Sequence, residues 1–148
     1  MNNIKQVNKP WGNELWIADG VSTPYALKRI FFKSGHRTSL QVHQEKYETN
    51  YVLRGTGHVF ISKEKFDIDQ FLINGMTIQQ VVEYEASFNK LELVEGVTFN
   101  VGPGYVHRVV ATLDLEFMEA STCQLDDVIR LQDDNGRAHG KILSEHEN

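Results

Sequence analysis

Two histidines, a glutamate and a glutamine stand at spacings that could bring their side chains to one point. Gln41 and His43 lie two residues apart, and alternate side chains of a strand share a face, so both could point into one cavity. Glu48 follows across a short turn, and His107 follows a Gly-Pro-Gly turn. Two imidazoles, a carboxylate and an amide oxygen would form a mixed nitrogen and oxygen site for one divalent ion, such as Mn, Fe, Co, Ni or Zn.

The elements that must position these residues are predicted to be short strands. Segments rich in aromatic and branched residues recur at regular spacing with Gly-rich turns between them, which is typical of an all-β sandwich or barrel. The predicted strands cover residues 25–33, 39–43, 48–53, 58–62, 90–94, 98–101, 107–111 and 115–119.

Two segments are predicted on weaker patterns. In the middle stretch, residues 63–95, the runs FLING (71–75) and TIQQVVEY (77–84) could form strands joined by a turn. The second run could equally form a short helix, because short apolar runs do not settle the period. Residues 125–131, LDDVIRL, are predicted to form a short C-terminal helix with Asp126 near its start.

Composition places limits on the class of protein. The 148 residues fit one domain that can bury a core without disulfides, and Cys123 is the only cysteine. The net charge of −5, from 15 basic and 20 acidic residues, argues against nucleic acid as a partner. The sequence shows no signal-peptide core and no apolar run that could span a bilayer, so we expect a cytoplasmic protein without a membrane partner.

The segments that carry the candidate ligands resemble the two motifs of the cupin superfamily. Residues 35–55 fit the pattern G-x5-Q-x-H-x4-E-x6-G, with Gln41 where the commonest version has His. Residues 96–107 resemble the second motif, with Gly102 where Pro is usual. The resemblance implies one all-β cupin domain over residues 1–148, a double-stranded β-helix or jelly-roll barrel that ends in the short helix. It also implies that Gln41, His43, Glu48 and His107 hold one metal ion and, by analogy, that the protein is a homodimer.

A narrower resemblance is to the type II phosphomannose isomerases. It is carried by SLQVH with Glu48, by KPWG at residues 9–12, and by LDDVIRLQDDNGR at residues 125–137. It covers residues 9–137 except the middle stretch, which could be a lid, a dimer arm or a larger binding surface. The resemblance implies metal-dependent isomerisation between aldose and ketose forms of a sugar phosphate such as mannose 6-phosphate. Two alternatives stay open: an isomerase, mutase or epimerase of a nucleotide-activated sugar in surface polysaccharide biosynthesis, and a non-enzymatic sugar-binding cupin that contains a metal.

Further residues are candidates for contact with the sugar. Lys28 shares strand parity with the apolar Ile30 and Phe32, so its ammonium group would point into the cavity if that face is inward. Lys28 and Glu119 are the candidate catalytic acid or base residues. The candidates for substrate binding are Arg37, at the family's basic position, and Arg130 and Arg137, in the closing signature. A structural or solvated role stays open for each of these residues.

Overall fold

A computed structural model describes residues 4–133 and 140–141 of the chain. In this part of the chain all strand pairs are antiparallel. The strands are β1 (Lys5–Lys9), β2 (Gly12–Asp19), β3 (Ala26–Phe32), β4 (Leu40–Val42), β5 (Glu48–Arg54), β6 (Gly57–Ile61), β7 (Asn89–Leu93), β8 (Thr98–Val101), β9 (His107–Ala111), β10 (Leu115–Ser121), β11 (Ile129–Gln132) and β12 (Gly140–Lys141). The helices are α1 (Ile68–Asn74) and α2 (Ile78–Glu85). None of the helices in these residues is long and apolar enough to cross a bilayer.

The strands form two sheets. Over the described residues the first sheet has the order β1-β2-β3-β10-β5-β8 and the second the order β12-β11-β4-β9-β6-β7. Their inner faces share one apolar core, in which Trp11 stacks on Phe32 with ring centroids 4.3 Å apart. The all-β architecture is therefore confirmed, and each strand predicted from the sequence is present with ends shifted by at most two residues.

Side chains alternate between the two faces of the first sheet, and several polar ones lie on its inward face. On β3, Lys28 is buried with Ile30 and Phe32, whereas Arg29 between them is exposed. On β5, Glu48 and Asn50 take the same inward face. On the outer face of this sheet, the Glu116 carboxylate accepts hydrogen bonds from two arginines, Arg29 and Arg54. The barrel thus has an apolar interior with a cluster of charged groups at one end.

The middle stretch covers the outer face of the second sheet. α2 begins with a capping box in which Thr77 and Gln80 satisfy each other's backbone N–H groups, and such caps favour helix over strand. Phe71 and Val81 from the two helices pack on Leu40 and Val42, the outward residues of β4, in a second core. Both runs that could have been strands are helices, and no residue from 63–95 lines the cavity that holds the polar cluster.

The predicted C-terminal helix is wrong. Residues 129–132 form β11, which pairs with β4 and β12. Ile129 and Leu131 both enter the second core, and a spacing of two residues suits a strand rather than a helix. Pairing with β4 therefore overrides the local helical pattern.

Candidate metal centre

Three residues of metal-ligand type meet inside the barrel. His43 follows β4, Glu48 begins β5, and His107 begins β9. The Nε2 atom of His43 lies 4.0 Å from Oε2 of Glu48, and Nε2 of His107 lies 3.7 Å from Oε1 of the same carboxylate. The three candidate ligand atoms all lie within 4.8 Å of one another. If all three atoms bound one ion at about 2.0–2.2 Å, they would lie roughly 3–3.5 Å from one another. Reaching that arrangement needs only a small movement of the side chains toward the ion.

Both histidines are held so that Nε2 faces the cavity. Nδ1 of His43 lies 2.6 Å from the Asp127 carbonyl oxygen, and Nδ1 of His107 lies 3.1 Å from that of Tyr105. Since a carbonyl oxygen only accepts, each Nδ1 carries a proton, and Nε2 is the ring nitrogen that faces the cavity. When the His43 ring is neutral, its Nε2 keeps the lone pair that a metal ion binds. The Nε2 atom of His43 is buried and has no hydrogen-bond partner among the described residues. This buried acceptor fits a metal ion as its missing partner.

Burial and charge keep the His43 ring in the form that binds metals. Burial lowers its pKa well below the usual value, and the charge of Lys46 nearby adds to the effect. The imidazole is therefore neutral at neutral pH, as metal coordination requires.

Two distant segments hold the loop that joins β4 to β5. The backbone N–H of Gly104 donates to the His43 carbonyl oxygen at 2.8 Å, and Gly104 has a φ of +85°, which a residue with a Cβ rarely adopts. The Asp127 carboxylate accepts three backbone N–H groups of the loop, those of Gln44 at 2.9 Å, Glu45 at 2.7 Å and Lys46 at 3.0 Å. The position of His43 thus depends on residues far away along the chain.

Gln41 also lines the cavity, directly across the strand pair from His107. Its Oε1 atom accepts a hydrogen bond from the Ser39 hydroxyl at 2.8 Å. Its role as the fourth ligand stays a prediction.

Buried Lys46 lies between two carboxyl groups, those of Glu48, a candidate metal ligand, and Glu119. Nζ of Lys46 lies 3.2 Å from Oε2 of Glu48 and 3.4 Å from Oε2 of Glu119. Burial opposes ionisation of Glu48, but the charges of Lys46 and His107 lower its pKa to about 2. Burial raises the pKa of Glu119, and the Glu48 charge raises it further. Glu48 is therefore the ionised member of the pair, and Glu119 is the carboxyl group that can hold a proton.

Lys28 points inward beside a tryptophan and another carboxylate. Only 1% of Lys28 is exposed, and its Nζ lies 3.4 Å from Oε1 of Glu14 and 4.5 Å from the centre of the Trp16 ring. The Trp16 Nε1–H donates to the same Glu14 oxygen at 3.0 Å. An ion pair and a cation–π contact offset the cost of burying this ammonium group.

Two of the three arginine candidates, Arg37 and Arg130, do not line the cavity. A bridge between Arg37 and Val110 places Arg37 at an outer groove beside Val82 and Glu85 of α2, away from the cavity. Arg130 is buried on β11 across from Gln41, but it does not line the cavity. Arg137 lies outside the described residues. A role in substrate binding for each of them stays a prediction.

Sequence reasoning missed several residues of the cavity and its support. Lys46 sits in a turn that gave no sign of burial, and Glu14 lies on a strand that was not predicted. Nothing in the sequence indicates that Asp127 accepts the backbone N–H groups of residues 44–46. Asn50 could have been found, because it lies two residues after Glu48 on the same strand and therefore on the same face.

Comparisons with known proteins agree with this architecture. Residues 1–95 match the family model described as the mannose-6-phosphate isomerase C-terminal domain. A search of curated proteins finds no match. Among solved structures, the capsular polysaccharide assembling protein CapF from Staphylococcus aureus superposes with a TM-score of 0.63 at 13% identity, covering 90% of this chain and 35% of CapF. KdgF from Halomonas sp. gives a TM-score of 0.58 at 17% identity, covering 83% of this chain and 89% of KdgF.

A third solved structure is an oxalate decarboxylase from Bacillus subtilis whose Mn(II) centres have been characterised. It superposes with a TM-score of 0.61 at 16% identity, covering 86% of this chain and 30% of that enzyme. The chain therefore spans about a third of the length of CapF and of the decarboxylase. At these identities the superpositions establish the cupin fold alone. The match over residues 1–95 shows that the chain belongs to the family of cupin domains found at the C-terminus of mannose-6-phosphate isomerase.

Proposed function

We propose that this cupin binds one divalent metal ion and isomerises a sugar phosphate between its aldose and ketose forms, with mannose 6-phosphate as the first substrate to test. One observation supports the proposal above the others. Three side chains of metal-ligand type and the protonatable carboxyl group of Glu119 face the same buried cavity. Aldose–ketose isomerisation needs both elements, because it stabilises charge on oxygen while a proton moves between adjacent carbons.

The ligands in this proposal are His43, Glu48 and His107, with Gln41 as the fourth. When bound, the ion supplies Lewis acidity that stabilises negative charge on the hydroxyl and carbonyl oxygens of the opened sugar. Two imidazoles and a carboxylate suit Mn, Fe, Co, Ni or Zn, and the cavity offers none of the thiolates of a structural zinc site.

Glu119 is the proposed acid and base. Its carboxyl group hydrogen-bonds with Glu48 and lies 3.4 Å from Nζ of Lys46. In its ionised form Glu119 can take the proton from one sugar carbon next to the metal ligands, and in its protonated form it can return that proton to the adjacent carbon. Its raised pKa favours holding the proton between the two transfers. Lys28 lies directly across the strand pair from Glu119, and we assign its ammonium group to holding a substrate oxygen in place for that transfer.

The charge of the cavity wall supports an anionic substrate. Three carboxyl groups and two ammonium groups line it, and these are Glu14, Glu48, Glu119, Lys28 and Lys46. A divalent cation makes this set net positive, which attracts a phosphate ester to the mouth.

The test is proton exchange at the carbon next to the carbonyl. Metal-loaded protein is mixed with mannose 6-phosphate or fructose 6-phosphate in deuterated water, and NMR follows loss of the proton signal. We expect exchange with the wild-type protein and a loss of about 100-fold or more in Glu119→Gln, within the usual contribution of a general acid or base. Glu116→Gln is the matched control, because it makes the same change on the same strand but on the outer face. Equal rates in the two variants would remove Glu119 from the proposal.

A second candidate is isomerisation of a nucleotide-activated sugar in surface polysaccharide biosynthesis. The superposition on CapF, a capsular polysaccharide assembling protein, supports this alternative. Exchange with a nucleotide sugar but with neither sugar phosphate would favour it. Binding of sugars without any exchange would instead favour a sugar-binding module without enzymatic activity.

A further inference from the structure

Asn50 is a buried amide in the cavity wall to which the roles above assign nothing. It lies on β5, two residues beyond Glu48 and on the same inward face, and only 1% of it is exposed. The strand register places it between Phe99 on β8 and Glu119 on β10. Its side chain lines the same cavity as the metal-ligand set.

Neither polar atom of this side chain has a hydrogen-bond partner in the part of the chain that the structure describes. Within residues 4–133, both Oδ1 and Nδ2 of Asn50 are buried without a hydrogen-bond partner. Burying an unpaired amide costs free energy, and a leucine of similar size would fill the same place without that cost. The cavity that Asn50 lines is the place where a ligand can supply the partner of this amide.

We propose that Asn50 binds a non-reacting hydroxyl group of the substrate, with Oδ1 accepting a hydrogen bond and Nδ2–H donating one. A sugar hydroxyl both donates and accepts, so it can hydrogen-bond with either atom of the amide. Residues two apart on a strand are separated by about 6.6–6.8 Å. Asn50 thus reaches past the oxygens that face His43, Glu48 and His107 to a hydroxyl further along the carbon chain. This inference rests on the proposed function and adds a requirement for a free hydroxyl group beyond the two carbons that react.

The first test compares Asn50→Leu with the wild-type protein. We expect KM for fructose 6-phosphate to rise about 10-fold, as loss of a hydrogen bond to a hydroxyl can produce, with kcat changed less than about threefold, because uniform binding is lost. Metal content should stay the same, and the thermal midpoint without sugar should stay the same or rise. Asn100→Leu is the matched control, because it makes the same substitution on the outward face of the neighbouring strand β8.

The second test observes the amide directly in the wild-type protein. The Asn50 side-chain NH₂ signals are assigned by their absence from the spectrum of Asn50→Leu, and fructose 6-phosphate is then titrated into metal-loaded protein in ordinary water. A shift of these signals supports the inference even if no isomerisation is detected, in which case the proposed function alone fails. No shift, or an unchanged KM in Asn50→Leu, overturns the inference even if isomerisation proceeds.

Discussion

Replacing Asp127 by asparagine should weaken metal binding although Asp127 is not a candidate ligand. Its Oδ2 atom accepts the N–H groups of Glu45 and Lys46, while Oδ1 accepts that of Gln44. Asparagine keeps one acceptor oxygen but places an NH₂ group where the other stood. It therefore loses one or two of the three hydrogen bonds, depending on the orientation of the amide, and in both orientations the NH₂ group faces backbone N–H donors. Hydrogen bonds to charged groups are worth about 1.5–3 kcal/mol each. These bonds lie near the surface, so we take the total loss at about 2 kcal/mol of unfolding free energy.

The same change should act on the metal through the histidine. The Asp127 carbonyl oxygen holds Nδ1 of His43, and loosening the loop lets the imidazole rotate away from Glu48. Changes to such supporting contacts typically cost 10–100-fold in metal affinity. We therefore expect the dissociation constant to rise at least about 10-fold in Asp127→Asn, measured by competition with a chromophoric chelator.

Asp126→Asn is the control for this prediction, because it removes the same charge at the exposed neighbouring position. Urea denaturation in the presence of a chelator gives the stability change without a contribution from the metal. A metal affinity of Asp127→Asn within about twofold of wild type would refute the view that this residue positions His43.

Three other changes separate the metal site from the rest of the fold. His43→Gln should lose bound metal in elemental analysis while His58→Gln retains it, and equal metal content in the two would remove His43 from the ligand set. Phe71→Ala should lower the unfolding free energy by about 3 kcal/mol in urea through the cavity it leaves, yet leave metal affinity unchanged because Phe71 packs outside the barrel. Burial raises the pKa of Glu116, but hydrogen bonds from Arg29 and Arg54 outweigh this effect and lower it. Stability from this carboxylate is thus present above its unfolded pKa and lost as pH falls through the lowered folded value. The arginine side chains are 48% and 58% exposed, so we expect Glu116→Gln to cost at most about 1 kcal/mol at pH 7, and a gap from wild type that failed to narrow below about pH 4 would contradict this.

The convergence of His43, Glu48 and His107 on one point could be predicted from their spacing and from the turns before them. Gln41 and His43 share a face on any strand, and the turns before Glu48 and His107 follow directly from the sequence. The sequence pattern did not predict β2, and the reason is physical. Its inward residues include Gly12 and Glu14, so the alternation that marks a strand carries a charged side chain where an apolar one is expected.

The error at the end of the chain has an instructive cause. Acidic residues before an apolar run are typical of a helix start, because a carboxylate there accepts free backbone N–H groups. Asp127 does accept such groups, but they belong to residues 44–46 rather than to its own segment. A single sequence shows that a carboxylate can cap backbone donors, but it does not show which donors the fold brings to it.

The hydrogen bonds that Gly104 and Asp127 make with His43 have a thermodynamic consequence. An unfolded chain makes neither of these hydrogen bonds, so the ion should bind the native state far more tightly than the denatured ensemble. The unfolding free energy should therefore increase with the concentration of the ion. At a hundredfold excess over its dissociation constant, a bound ion adds about 2.7 kcal/mol to the unfolding free energy, and the protein should melt at a temperature that climbs steadily with added metal.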